Sequence, residues 1–141
     1  MSGQEQQHGC WGDSSVSVIH VEAGNRYSQA MIVGDLVFVA GQVASDANLD
    51  IAGQMQQTLA ALERILVASG SRRELLVSVT IYLRDIADYQ SMNTVWEAWL
   101  ASGPKPARAT VEARLALPEY RVEVQAVASR NVSPRSSSVS T

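Results

Sequence analysis

Along this chain the apolar positions change period several times, and each change marks an element. Val16 to Val21 sets Val16, Val18 and His20 against Ser17, Ile19 and Val21, a short strand apolar on both faces. Ala30 to Val33, then Gly34-Asp35, then Leu36 to Ala40 predicts a hairpin with a two-residue turn, Gly34 supplying the positive φ that such turns need. Between Ile51 and Ser69 the apolar set Met55, Leu59, Leu62, Ile65 and Leu66 is spaced for one helix face, and Gly70 stands where a helix-ending glycine belongs. Period two returns at Leu75–Leu83. Asp88 is placed to cap a second helix with the stripe Tyr89, Met92, Val95, Trp96, Trp99 and Leu100, stopped by Gly103-Pro104. Two further alternating runs close the pattern. Residues 107, 109, 111 and 113 are small or apolar against Arg108, Thr110 and Glu112; Val122, Val124, Ala126 and Ala128 alternate with Arg121, Glu123, Gln125 and Val127.

The order β-ββ-α-β-α-β-β predicts an α+β fold, a single mixed sheet with two helices on one face. The two tryptophans of the second helix are expected in the core. Taken as neighbours, the last two strands carry Arg108, Thr110, Glu123 and Gln125 on their non-core faces. Phe38 and Tyr82 also look away from the helices, so the second sheet face needs a cover.

Residues 1–16 are polar and residues 131–141 serine-rich, too poor in apolar surface to offset the entropy of ordering. The folded domain is therefore expected over 17–130, between two disordered tails. A length of 141 residues supports one domain with a real core. The formal net charge is −3, and the basic residues, all arginine but Lys105, are scattered apart from Arg72-Arg73. That disfavours nucleic acid as a partner. Cys10 is the only cysteine, which excludes an intrachain disulfide and suits a reducing cytoplasm. With His8 and His20 it makes a poor metal set, so no metal or other cofactor is expected. The N-terminus lacks a signal-peptide pattern, and no apolar run is long enough to span a bilayer, so no membrane association is expected.

Arg108 carries the most chemical information. A planar guanidinium on a sheet face suits a small carboxylate or phosphate, although a solvated strand face with cross-strand ion pairs has the same periodicity.

Five segments in order resemble the Rid (reactive intermediate deaminase, YjgF-like) family: Tyr27-Ser-Gln29; Gly34 with Leu36-Val-Phe-Val-Ala-Gly-Gln42; Asp85-Ile-Ala-Asp-Tyr89 leading to Met92-Asn93; Pro106-Ala-Arg-Ala-Thr-Val-Glu112; and Val122-Glu-Val-Gln-Ala-Val-Ala128. They span about residues 17–129, and Asn93-Thr-Val-Trp-Glu-Ala-Trp99 looks most like a paralogous branch. The resemblance implies a chorismate-mutase-like fold, a homotrimer with sheets facing inward, and active sites in the clefts between subunits. It implies hydrolysis of 2-imino acids and their enamine tautomers, such as 2-aminoacrylate, to 2-keto acids and ammonia. By the same resemblance Arg108 forks onto the substrate carboxylate and Glu123 positions a water, these two being the catalytic pair. Tyr27, Gly41, Asn93 and Thr110 contribute to substrate binding, Gly41 and Thr110 through their main chain. Orientation of an already reactive imine can supply the acceleration without a metal or covalent nucleophile. Three departures bear on substrate identity. Asn25-Arg26 replaces the family's usual Gly-Pro and adds a positive charge near the cleft mouth. Thr110 stands where many members have cysteine. The loop 44–50 is shorter than usual. A non-catalytic metabolite-binding or regulatory protein on the same trimer is the alternative function.

Overall fold

The computed structural model describes residues 16–130. The tails and Cys10, apart from Val16, lie outside the described residues. Six strands form one mixed sheet: β1 (Val18–Ala23), β2 (Ser28–Val33), β3 (Leu36–Gln42), β4 (Leu76–Leu83), β5 (Ala107–Glu112) and β6 (Val122–Ser129), in the order β1-β2-β3-β6-β4-β5. All neighbours are antiparallel except β4 and β5, which run parallel with α2 between them in sequence. Helices α1 (Ile51–Ala68) and α2 (Tyr89–Leu100) cover one face. The expected architecture is the observed one.

Helix α1 forms where its sequence says it should. Asp50 accepts a hydrogen bond from the Gly53 amide at 2.9 Å, capping the first turn. At the other end Gly70 takes φ +79° and the Ser71 amide returns to Leu66 O at 2.8 Å, which satisfies carbonyls the helix leaves open. Met55, Leu59, Leu62, Ile65 and Leu66 are all buried against Val37, Val39, Val124 and Ala126 of the sheet. Burying each such side chain is worth about 1.5–3 kcal/mol, so this stripe dominates the stability of the helix. The β2–β3 turn places Gly34 at φ +58°, as its sequence predicts. Glu22, with φ +52°, reaches from β1 to Arg64 of α1, and the Arg64 hydrogen bond holds its carboxyl below the ordinary value. Both side chains are exposed, so the pair adds little to stability.

Gln54 is the buried polar exception on α1. Its amide nitrogen lies 3.0–3.1 Å from the carbonyl oxygens of Ala47, Leu49 and Glu119, and its oxygen accepts from the Arg121 amide at 2.8 Å. One side chain thus ties two loops, 43–50 and 113–121, to the helix. Gln54→Leu would keep the volume but orphan these backbone groups, so a loss of about 2–4 kcal/mol is expected. Urea denaturation checks this; an unchanged midpoint would show that water replaces the side chain at no cost.

Four local expectations are corrected. Strand β1 runs over Val18–Ala23, two residues later than the alternation suggests. Asp88 stands at the N-cap position of α2, as expected, but its side chain makes no capping hydrogen bond; Asp85 instead accepts from Ala87 N at 2.9 Å and caps a 3-10 turn, Ile86–Asp88, that leads into the helix. Helix α2 ends at Leu100, where Ala101 takes φ +53°, before Gly103-Pro104 is reached.

The sheet order, fourth, rearranges the expected site. Strand β4 lies between β5 and β6, so those two are not neighbours. Arg108 pairs in register with Val79 and Thr110 with Ile81, both core residues, which puts Arg108 and Thr110 on the helix-covered face. Glu123 and Gln125 pair with Tyr82 and Thr80 and lie on the opposite, open face. The alternation in β5 predicts the usual polarity of apolar-in and polar-out. As an edge strand under α2, β5 reverses it: Ala107, Ala109 and Val111 are exposed while Arg108 and Thr110 are half-buried.

Candidate functional site

Arg108 leaves the edge strand beneath α2. Its Nη1 donates to Asn93 Oδ1 at 2.7 Å and its Nη2 to the Tyr89 hydroxyl at 3.2 Å. Its guanidinium carbon lies 5.6 Å from the ring centroid of Trp96 and 5.7 Å from that of Tyr89, within cation–π range. Tyr89, Asn93 and Trp96 fall at i, i+4 and i+7 of α2, so one helical face supplies the whole bracket. Sequence alone points to Asn93 as a binding residue, whereas Tyr89 and Trp96 stand there in the apolar stripe and in family-like segments without a binding role. Their spacing around Asn93 was the available signal.

Both hydrogen-bond partners of Arg108 are neutral, and none of the ion pairs among the described residues includes it. A half-buried cation oriented by neutral acceptors keeps its charge for another anion. Two residues along the strand, on the same face, the Thr110 hydroxyl is buried without a hydrogen-bond partner among the described residues. Such a group is costly unless a ligand or water completes it.

Glu123 and Gly41 form a second cluster, on the open sheet face. The register between β3 and β6 shifts at residues 40–41, a bulge that brings the Gly41 backbone toward β6. A Cβ on residue 41 would stand 2.8 Å from Glu123 Cδ and 3.1 Å from its Cγ. The Glu123 carboxyl thus occupies space that only glycine leaves free. It makes no hydrogen bond or ion pair among the described residues, which leaves both oxygens able to accept from a water. Beside it, the Tyr82 hydroxyl donates to Gln125 Oε1 at 3.3 Å.

Tyr27 stands apart. It is 59% exposed on the turn between β1 and β2, and β3, β6 and β4 all lie between β2 and β5 in the sheet. Within one chain the structure therefore brings Arg108 to Asn93, with Thr110 alongside, and Glu123 to Gly41. It does not join these two groups, and it joins Tyr27 to neither.

Comparison with known proteins agrees with this architecture. A family model described as Endoribonuclease L-PSP matches residues 19–130. The crystal structure of a YjgF-family protein from Neisseria meningitidis superposes with a TM-score of 0.80 at 40% sequence identity, covering 83% of this chain and 98% of that one. A RutC family protein of Haemophilus ducreyi is 35% identical over 114 residues, 81% of this chain and 97% of its own length. YoaB of Escherichia coli, also a RutC family protein, is 33% identical over 113 residues, 80% and 98% of the two chains. Matched through its folded unit by the family model and along nearly the full length of these relatives, the chain belongs to the YjgF/RutC family, the Rid family that its motifs resemble.

Proposed function

We propose that the protein is a hydrolytic deaminase of 2-imino acids and their enamine tautomers, acting as a homotrimer. The observation that carries this reading is the Arg108 bracket: a half-buried guanidinium, oriented by Asn93 and Tyr89 and without a carboxylate partner among the described residues. It fits the carboxylate of a small substrate. In hydrolysis a water oxygen bonds to the imine carbon and a proton passes to the nitrogen. Collapse of the carbinolamine then breaks the C–N bond, releases ammonia and leaves the 2-keto acid. Glu123, with its unpaired carboxyl over Gly41, is the group suited to aim and deprotonate that water.

The separation of the three groups supports an assembled site. Arg108 and Glu123 occupy opposite sheet faces and Tyr27 the far edge, so a complete constellation needs residues from two subunits. The open face also carries Leu36, Phe38 and Val111, each at least 40% exposed, an apolar surface suited to burial between subunits. The family description also names endoribonuclease activity. A net charge of −3, with basic residues scattered along the sequence, gives RNA little electrostatic hold.

The test is semicarbazide competition. An amino-acid oxidase generates the imine in situ, and the protein should lower semicarbazone yield in proportion to its concentration. Light scattering should give three subunit masses at micromolar concentration. No effect on semicarbazone formation would leave a binding or regulatory role on this scaffold; a single subunit mass would overturn the assembled site.

A further inference from the structure

The turn between β1 and β2 borders a second cleft, with Arg26 among its lining residues. Gly24 N donates to Tyr27 O at 2.8 Å and closes the turn. Asn25, Arg26, Tyr27 and Gln29 line a cleft of about 280 Å³ beside it. Among the described residues no carboxylate lines this cleft, and Arg26, like Arg108, belongs to none of the ion pairs.

The orientation of Gln29 follows from its neighbour. Gln42 is only 7% exposed. Its amide group lies 3.0 Å from Ala40 O, a carbonyl that can only accept, so the nitrogen must face it. The same nitrogen donates to Gln29 Oε1 at 3.0 Å. With its oxygen engaged, Gln29 has its NH2 left to donate to a ligand. The cleft therefore offers a guanidinium, a carboxamide NH2 and the Tyr27 hydroxyl, with no fixed negative group. That is the chemistry of an anion site.

We propose that this turn is a subsite for a second carboxylate, and that the substrates are 2-imino dicarboxylates. Arg108 takes the carboxylate next to the imine. Arg26, with Gln29 and Tyr27 of a neighbouring subunit, takes the distal one. The inference rests on the deaminase reading and on Tyr27 reaching the Arg108 cleft of a neighbouring subunit. It also gives the Asn25-Arg26 pair a role, since a Gly-Pro turn would carry no charge there.

The experiment compares kcat/KM for 2-iminoglutarate and 2-iminobutyrate, each made by an oxidase, in the full-length protein. The wild type should prefer the dicarboxylate by about tenfold or more, and salt should erode the preference. In Arg26→Gln the ratio should fall about tenfold. Arg26→Glu should lower it further by repulsion, and Arg26→Lys should retain part of it as a point charge. Calorimetry with the keto products, 2-oxoglutarate against 2-oxobutyrate, should show the same Arg26-dependent selectivity. If both imines are hydrolysed with a ratio that Arg26→Gln leaves unchanged, the subsite is wrong and the deaminase stands. If neither imine is hydrolysed but 2-oxoglutarate binds in an Arg26-dependent way, the second-carboxylate subsite stands as a binding site, and the deaminase reading falls together with the imino-dicarboxylate substrates. Keto-acid binding without any Arg26 dependence overturns the subsite in either case.

Discussion

Arg108→Ala is expected to lower kcat/KM for 2-iminobutyrate roughly 30- to 5000-fold, the range for losing a charged hydrogen-bonded pair worth about 2–5 kcal/mol in a desolvated cleft. The fold should survive. Arg108 sits on an edge strand, half-buried, and its removal leaves Asn93 and Tyr89 able to turn to solvent rather than stranded in the core. Arg108→Lys should rescue poorly, because an ammonium cannot hold the Asn93 and Tyr89 contacts and still present a planar fork to a carboxylate. Asn93→Ala tests the bracket: the side-chain hydrogen bond it loses is the one to the guanidinium, so its effect should appear mainly in KM and vanish on the Arg108→Ala background. Steady-state kinetics with circular dichroism to confirm the fold decides the matter. Wild-type-like activity in Arg108→Ala would sink the deaminase reading.

Gly41→Ala should be nearly as damaging, for a steric reason. The added methyl would fall within the Glu123 carboxyl, so either the side chain swings away or the bulge opens, by an ångström or more. A misplacement of that size can cost about 100-fold in rate. The loss should lie in kcat, because Glu123 is proposed to act on the water and not on the carboxylate held by Arg108. Glu123→Gln should show the same kcat-weighted pattern. On a Glu123→Ala background there is no carboxyl left to displace, so Gly41→Ala should then add little. A Gly41→Ala enzyme with normal kcat would mean that the observed Glu123 position plays no part in the reaction.

Much of this site was legible in the chain before any coordinates. The motif around Arg108, Asn93 in the second helix and the glycine opposite Glu123 could all be found by resemblance. The bracket itself was not. Tyr89 and Trp96 look like ordinary apolar positions at helical spacing, and only their contact with Arg108 gives them a second task. Gln54 was equally hidden, since one glutamine on a helix carries no sign that four loop backbone groups converge on it. Arg26 was visible as an added charge; its acid-free cleft and the Gln42–Gln29 relay were not.

The sequence by itself determined the elements, because their signals are local. Periods of 2 and 3.6, the glycines at 34 and 70 and the stripe on α1 each act within a few residues. The α+β class followed from their order. Which face of β5 is covered could not be settled that way. Alternation says that two faces differ, not which one a helix will lie against, and β5 inverts the usual polarity because it is an edge strand placed under α2. The insertion of β4 between β5 and β6 is likewise a long-range pairing with no local signature. Those two tertiary facts put Arg108 and Glu123 on opposite faces of one sheet, the separation from which the proposed inter-subunit site is argued.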